Sequence, residues 1–242
     1  MLLTKLREFG YAVVRGLCPL SLVQGATRCV VDRAMHALQL KGVPPGENME
    51  GMLQATWTTS KDMAGWHLSR NLPFGNATHL LGWRASTGTG VLFQGLWSDS
   101  LPLATLCRQA SPIASAFYTT AKLAHYPAAP SLKPPGSGRD ALAVDSARDL
   151  RIRISLSNSS FWVCPGSHLD ESLRQAAASS QCKTGIYSLS ASETKKHPAV
   201  RHELSEGDAL VLAGCAWCDA EVLAGGRWSA SLDATFQPLN GT

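Results

Sequence analysis

The sequence predicts an α+β fold: helices come first, and short antiparallel strands rolled into a barrel or jelly roll come afterwards. Three observations carry this expectation. Apolar residues recur at helical spacing along LVQGATRCVVDRAMHALQL and LPLATLCRQASPIASAFYTTAKLAHY, whereas in the later part they alternate in short runs. The proline-rich stretch PAAPSLKPPGSG stands between the two regimes, a punctuation that marks a change of structure. The later runs, LRIRISLS, SFWVCPGSH, GDALVLAG and RWSASLDATF, are bounded by Gly, Pro and Ser in the manner of strands. At 242 residues and 45% hydrophobic, the chain can bury a sizeable core, and one domain over 1–242 is expected. Its helical and irregular part covers about 1–130 and its β part about 131–242.

Each element follows in order. LREFGYAVVRGLCP opens with a short helix and turns into a strand over Tyr11 to Val14, closed by Gly16 and Pro19. Ser21 is the expected N-cap of a helix that runs to about Leu40 and is ended by VPPGEN. Residues 49–95 are rich in Trp, Gly, Thr and Asn without clear periodicity, and are expected to form irregular connections with short helices or strands. The next helical segment is split into two, with Pro112 near the start of the second. The final β region closes with GDALVL and RWSASLDATF as a strand pair joined by a polar, Gly-rich connection, with Cys215-Ala-Trp-Cys218 between them.

Composition excludes several classes of function. Twenty-two basic and 18 acidic residues give a net charge of +4, scattered rather than gathered into a stripe, so nucleic acid is not an expected partner. No run approaches the roughly 18 apolar residues that span a bilayer, and MLLTKLREFGYAVV lacks the parts of a signal peptide. Seven cysteines without framework spacing suit a reducing compartment. Cytosol or an organelle matrix is expected, not secretion.

Four stretches, in this order, carry a resemblance that spans nearly the whole chain: FGYAVVRGL (Phe9 to Leu17), LKPPGSG (Leu132 to Gly138), VCPGSH (Val163 to His168) and GDALVL from Gly207. Together they resemble the phytanoyl-CoA dioxygenase family of the Fe(II)/2-oxoglutarate-dependent oxygenases. The resemblance implies a cupin-like double-stranded β-helix flanked by N-terminal helices. It also implies iron held by a His-x-Asp pair and a distant second His, with open positions left for 2-oxoglutarate and oxygen.

This chain departs from that pattern. Asp145 takes the carboxylate position, but the position two residues earlier is Ala143; the other placement uses Asp140 and puts Gly138 where the His should be. The second His is expected eleven residues after the Gly of Gly-Asp, and counting from Gly207 reaches Cys218. One carboxylate and one thiolate make a poor ferrous oxygen site. Arg227 matches the arginine that pairs with the distal carboxylate of 2-oxoglutarate, the alternative being an exposed arginine at a strand end. Lys133 is placed near the cosubstrate mouth, with a solvated lysine beside its two prolines as the favoured reading.

Other candidates have plainer readings. Cys215 and Cys218 have redox or half-zinc spacing, but no second pair accompanies them, so packing cysteines are expected. His168 is expected to close its turn through the backbone. His67, His79 and His125 form no pair by spacing. The seven tryptophans are expected as core or interface anchors. The resulting expectation is an oxygenase-like protein without iron chemistry, a pseudoenzyme needing no cofactor that serves as a binding or assembly subunit, with a protein assembly or a small molecule as partner. The alternative is an active dioxygenase that uses Fe(II) and 2-oxoglutarate to hydroxylate a small or acyl substrate.

Overall fold

The computed structural model describes residues 1–40, 79–84, 89–94, 101–120, 123–133, 142–145, 150–179, 186–222 and 229–239. In chain order its helices are α1 (Leu2–Phe9), α2 (Leu20–Leu40), α3 (Leu101–Tyr118), α4 (Glu171–Ser179) and α5 (Ala191–Lys196). The strands are β1 (Tyr11–Val14), β2 (His79–Arg84), β3 (Thr89–Gln94), β4 (Leu123–Lys133), β5 (Ala143–Asp145), β6 (Leu150–Ser155), β7 (Ser159–Cys164), β8 (Ile186–Ser188), β9 (Val200–Leu204), β10 (Ala209–Leu212), β11 (Ala216–Asp219) and β12 (Ser229–Pro238). A seven-stranded sheet has the order β1-β10-β6-β12-β4-β3-β2, and a five-stranded sheet has the order β8-β5-β11-β7-β9. Strands β4 to β7, and again β9 to β12, alternate between the sheets, while β8 joins β7 and β9 in the smaller one; the architecture is the expected cupin-like jelly roll with flanking helices.

The larger sheet has two buried faces of different character. Period-2 alternation sends Leu150, Ile152 and Ile154 of β6 and Ala230, Leu232, Ala234 and Phe236 of β12 outward, onto α2 and α3. There they meet Val23, Ala26, Val30, Leu103, Leu106 and Ala110, all at most 1% exposed. Tyr118 pins the end of α3 to this face: its hydroxyl donates to the Phe236 carbonyl (3.0 Å) and accepts the Leu150 N–H (2.8 Å). A second cluster lies between the sheets, where Phe161, Val163 and Leu204 of the smaller sheet meet Leu210 and Leu212 of the larger. No described helix is long and apolar enough to cross a membrane.

Several elements differ from the sequence-based expectation. PAAPSLK forms the second part of an eleven-residue strand, β4. It tolerates proline because the register with β12 slips between Asp233 and Thr235, next to Pro127, and because pairing with β3 is limited to Ser131 and Leu132, beyond Pro130. Residues 101–118 form one helix with the exposed Pro112 inside it, whose missing N–H removes one intrahelical hydrogen bond. Helix α2 starts at Leu20, with the Pro19 carbonyl accepting from Leu22 and Val23, so Ser21 is already inside the helix. Within 49–95 the expected short strands are present as the antiparallel hairpin of β2 and β3, and the rest of that stretch lies outside the described residues. Finally, GDALVL and RWSASLDATF do not pair: β6 separates β10 from β12, and the CAWC segment crosses to the other sheet as β11.

Two glycines fix how the N-terminal segment meets the roll. Gly10 ends α1 at φ +77°, and a Cβ there would come within 2.4 Å of the His168 ring. Gly207 has φ +84°, and a Cβ would lie 2.5 Å from the Cys18 carbonyl oxygen, so only glycine permits both turns. Next to it, Asp208 accepts hydrogen bonds from the N–H groups of Gly16 (2.8 Å) and Ser205 (2.9 Å) and from Arg15 (2.6 Å). Burial raises the pKa of this carboxyl, but those donors outweigh it and the net shift is downward.

Candidate functional site

The space between the sheets is where a roll of this kind can hold a ligand, and its lining follows from strand alternation. With Ile152 and Ile154 facing the helices, Arg151, Arg153 and Ser155 face inward; with Leu232 and Ala234 outward, Ser231 and Asp233 face inward. Opposite them, Phe161 and Trp217 face inward from the smaller sheet.

These residues converge on Arg153, whose side chain is 4% exposed. Its Nη1 donates to both oxygens of Asp233 (3.0 and 3.3 Å), and its Nη2 donates to the Asp219 carboxylate (2.9–3.0 Å). The guanidinium lies over the rings of Phe161 (5.1 Å) and Trp217 (4.8 Å), and the Arg151 guanidinium also lies over Trp217, at 5.4 Å. Planar guanidinium forks suit such an arrangement because each edge can meet a carboxylate while the faces stack on aromatic rings. The pairs bridge the sheets, since Asp219 belongs to β11 and Asp233 to β12.

Among the described residues, a second part of the interior is largely apolar. Phe161, Val163, Leu204, Leu210, Leu212 and Cys215 pack there with Tyr11 and Val13. At its margin His202 Nε2 and the Tyr11 hydroxyl are 3.0 Å apart, with ring centroids at 5.1 Å. Desolvation, reinforced by Arg15, lowers the His202 pKa below 6.5; burial, with a smaller contribution from Cys215, raises that of Tyr11 above 10.

The sequence-derived site residues are brought together only in part. Ala143 lies directly opposite Trp217 in the β5–β11 pair, so the position matched to the first imidazole faces an indole. Asp145 ends β5, paired with Ile186 of β8; its side chain lies outside the described residues, as do Asp140 and Arg227. Lys133 pairs with Ser229 at the end of β4, with its side chain outside the described residues. Cys218, the position matched to the second imidazole, points away from the interior. It is 3% exposed and packs with Leu142, Val144, Cys164, Ala177 and Ala216 under α4. Its neighbours Trp217 and Asp219 face inward, as strand alternation requires. His67 lies outside the described residues, and the side chains of His79 and His125 do too.

Other motif residues prove architectural. In the Pro-Gly-Ser-His turn, Ser167 Oγ donates to the Cys164 carbonyl (2.7 Å) and accepts the Ala216 N–H (2.8 Å), fastening β11 to β7. His168 Nε2 donates to the Arg7 carbonyl (3.0 Å), as expected for a turn histidine. Sequence reasoning missed Arg153, Asp219, Asp233 and the inward placement of Trp217. The available signal was charge at alternate positions of strands whose other positions are wholly apolar, in LRIRIS and SLDATF. Among the described residues, no three His, Cys, Asp or Glu side chains are grouped so as to hold a metal ion.

No family model and no curated protein sequence matches the chain. Its fold is nevertheless shared with solved structures, among them a non-heme α-ketoglutarate-dependent enzyme. SnoN, the α-ketoglutarate-dependent epimerase from nogalamycin biosynthesis, is 14% identical with a TM-score of 0.58, covering 98% of this chain and 82% of that one. AviO1 from Streptomyces viridochromogenes Tue57 is 14% identical with a TM-score of 0.57, covering 100% and 95%. HygX from Streptomyces hygroscopicus, solved with nickel, 2-oxoglutarate and hygromycin B, is 10% identical with a TM-score of 0.57, covering 100% and 88%.

Proposed function

We propose that this protein is an oxygenase-fold relative of the phytanoyl-CoA dioxygenase kind that has given up iron chemistry and acts as a binding or assembly subunit. One observation carries the reading: the inward position across from Ala143 is filled by Trp217, while Cys218 is turned under α4. The metal implied by the fold needs three nitrogen or oxygen donors on one face. An alanine and an outward thiol supply none of them, and Asp145 alone does not fit a ferrous centre. An indole donates through one N–H and offers no lone pair to a metal.

Among the described residues, the buried cation nearest the interior is not free to hold the cosubstrate. Both terminal nitrogens of Arg153 are engaged by aspartates, so a dicarboxylate would have to displace one of them. Active 2-oxoglutarate-dependent oxygenation of a small or acyl substrate is the second reading, favoured by the fold likeness to SnoN and HygX.

Metal analysis of the purified protein, with thermal unfolding in the presence of Mn(II) and 2-oxoglutarate, separates the two. Substoichiometric iron and an unchanged Tm are expected; stoichiometric iron with a clear rise in Tm overturns the proposal. A gain-of-binding variant tests the geometry beneath it. Ala143→His with Trp217→His sets two imidazoles face to face and is expected to bind Ni(II), whereas Ala143→His with Cys218→His is not.

A further inference from the structure

We infer that the outer edge of β9 is a self-association surface, at which Val200–Leu204 pairs antiparallel with the same strand of a second copy across a two-fold axis. The inference concerns the rim of the smaller sheet and holds whether or not the interior binds iron. Among the described residues β9 is an end strand of that sheet, hydrogen-bonded to β7 along one side. Two observations fix which of its backbone groups face out. The Ser160 carbonyl accepts from the N–H of Ala220, the residue after β11, so Glu203, opposite Ser160, turns its N–H and C=O away from β7. In agreement, the Glu203 carbonyl accepts from Arg15 at 2.8 Å. By alternation the backbone groups of Arg201 face out as well. An edge that offers donors and acceptors in this way is a template for a further strand.

The side chains select the partner. Along the strand, VRHEL runs apolar, basic, His, acidic, apolar, and an antiparallel copy centred on His202 presents the complementary order. Each Arg201 then lies opposite Glu203 of the other copy, and the outward N–H and C=O groups of these residues form the hydrogen-bonded pairs of the ladder. A slip of two residues either way sets Arg201 against Arg201 or Glu203 against Glu203. Charges that ordinarily deter edge pairing thus admit this strand in one register, the self-complementary one that a two-fold interface requires. Val200, 45% exposed, gains Leu204 of the second copy as its cross-strand neighbour. At the axis the two His202 rings approach each other; burial and Arg15 favour their neutral form, so no like charges meet there. Arg15, 61% exposed, keeps its bond to Asp208 and gives up the Glu203 carbonyl, a solvated contact that costs little to release.

The test follows the mass of the full-length protein by light scattering after size exclusion, over a wide range of concentration. The wild type is expected to pass from one chain to two as concentration rises. Arg201→Glu and Glu203→Arg each set like charges opposite one another at both pairs, and each is expected to weaken the dimer roughly tenfold or more. Glu203→Pro removes an outward N–H while leaving the β7 ladder whole, and is expected to keep the chain monomeric. Mixing the Arg201→Glu chain with the Glu203→Arg chain restores opposite charges at both contacts, so the mixture is expected to dimerise where neither chain does alone. A wild type that stays a single chain at every concentration, a dimer indifferent to all three substitutions, or a mixture that fails to associate overturns the inference. Iron content bears on the functional proposal alone, so the two can fail separately.

Discussion

Ile152 and Arg153 are adjacent in β6 and live in opposite surroundings. The outer face of the larger sheet, with Ile152, Leu232 and Phe236, is an apolar layer against helices α2 and α3; the inner face, with Arg153 and Asp233, is a charged layer between two sheets. The outer layer owes its stability to area and close packing, which tolerate exchange among apolar residues of similar volume. Pairing governs the inner layer: each charge is tolerable only while its partners stay in place. Fold and site are thus separate properties of the same two strands.

Substitutions on each face sharpen or break this contrast. The largest effect is expected on the outer face, where Phe236→Ala opens a cavity beneath α3 and costs about 4 kcal/mol, measured as a fall in the urea midpoint with an unchanged m-value. On the inner face, Asp233→Asn keeps the shape but removes a charge from the Arg153 fork, and costs about 2 kcal/mol. If it proves neutral, the inner layer is not governed by pairing. Ile152→Val, next to Arg153 but outside the charged layer, costs about 1 kcal/mol by the same assay.

A pH titration probes the margin of the interior. The folded-state pKa of His202 is lowered by burial and Arg15, so its neutral form is favoured. Its contribution is complete above pH 6.5 and is lost as pH falls through the lowered value. His202→Asn is expected to flatten that part of the stability profile. Smallest of all is the exposed Glu171–Arg174 pair on α4: Glu171→Gln is expected to change stability by under about 0.5 kcal/mol.

Much of the fold was legible in the sequence because its signals are local. The periodicity of LVQGATRCVVDRAMHALQL fits α2, and the alternation in LRIRISLS and RWSASLDATF fits β6 and β12. The strand β5 was not legible: at three residues it is too short to show a period. Neither was β4, whose prolines are admitted by a bulge and by limited pairing that only the neighbouring strands define. The site was harder to see because it depends on which face of each strand turns inward. Alternation in an antiparallel sheet suggests polar residues toward water, and the arginines of LRIRIS would be assigned there. In this roll helices cover the outside, so the apolar side turns outward and the charged side is enclosed.

The pairing of Tyr11–Val14 with Ala209–Leu212 joins strands about 200 residues apart in the chain. A ribosome adding about 5–20 residues each second leaves β1 waiting roughly 10–40 s for its partner to be synthesised. Throughout that interval the Gly10 and Cys18 turns have nothing to dock on, and the nascent helices hold an apolar side with no sheet beneath it. Closure of the roll is therefore a late step, which waits until the last strands emerge.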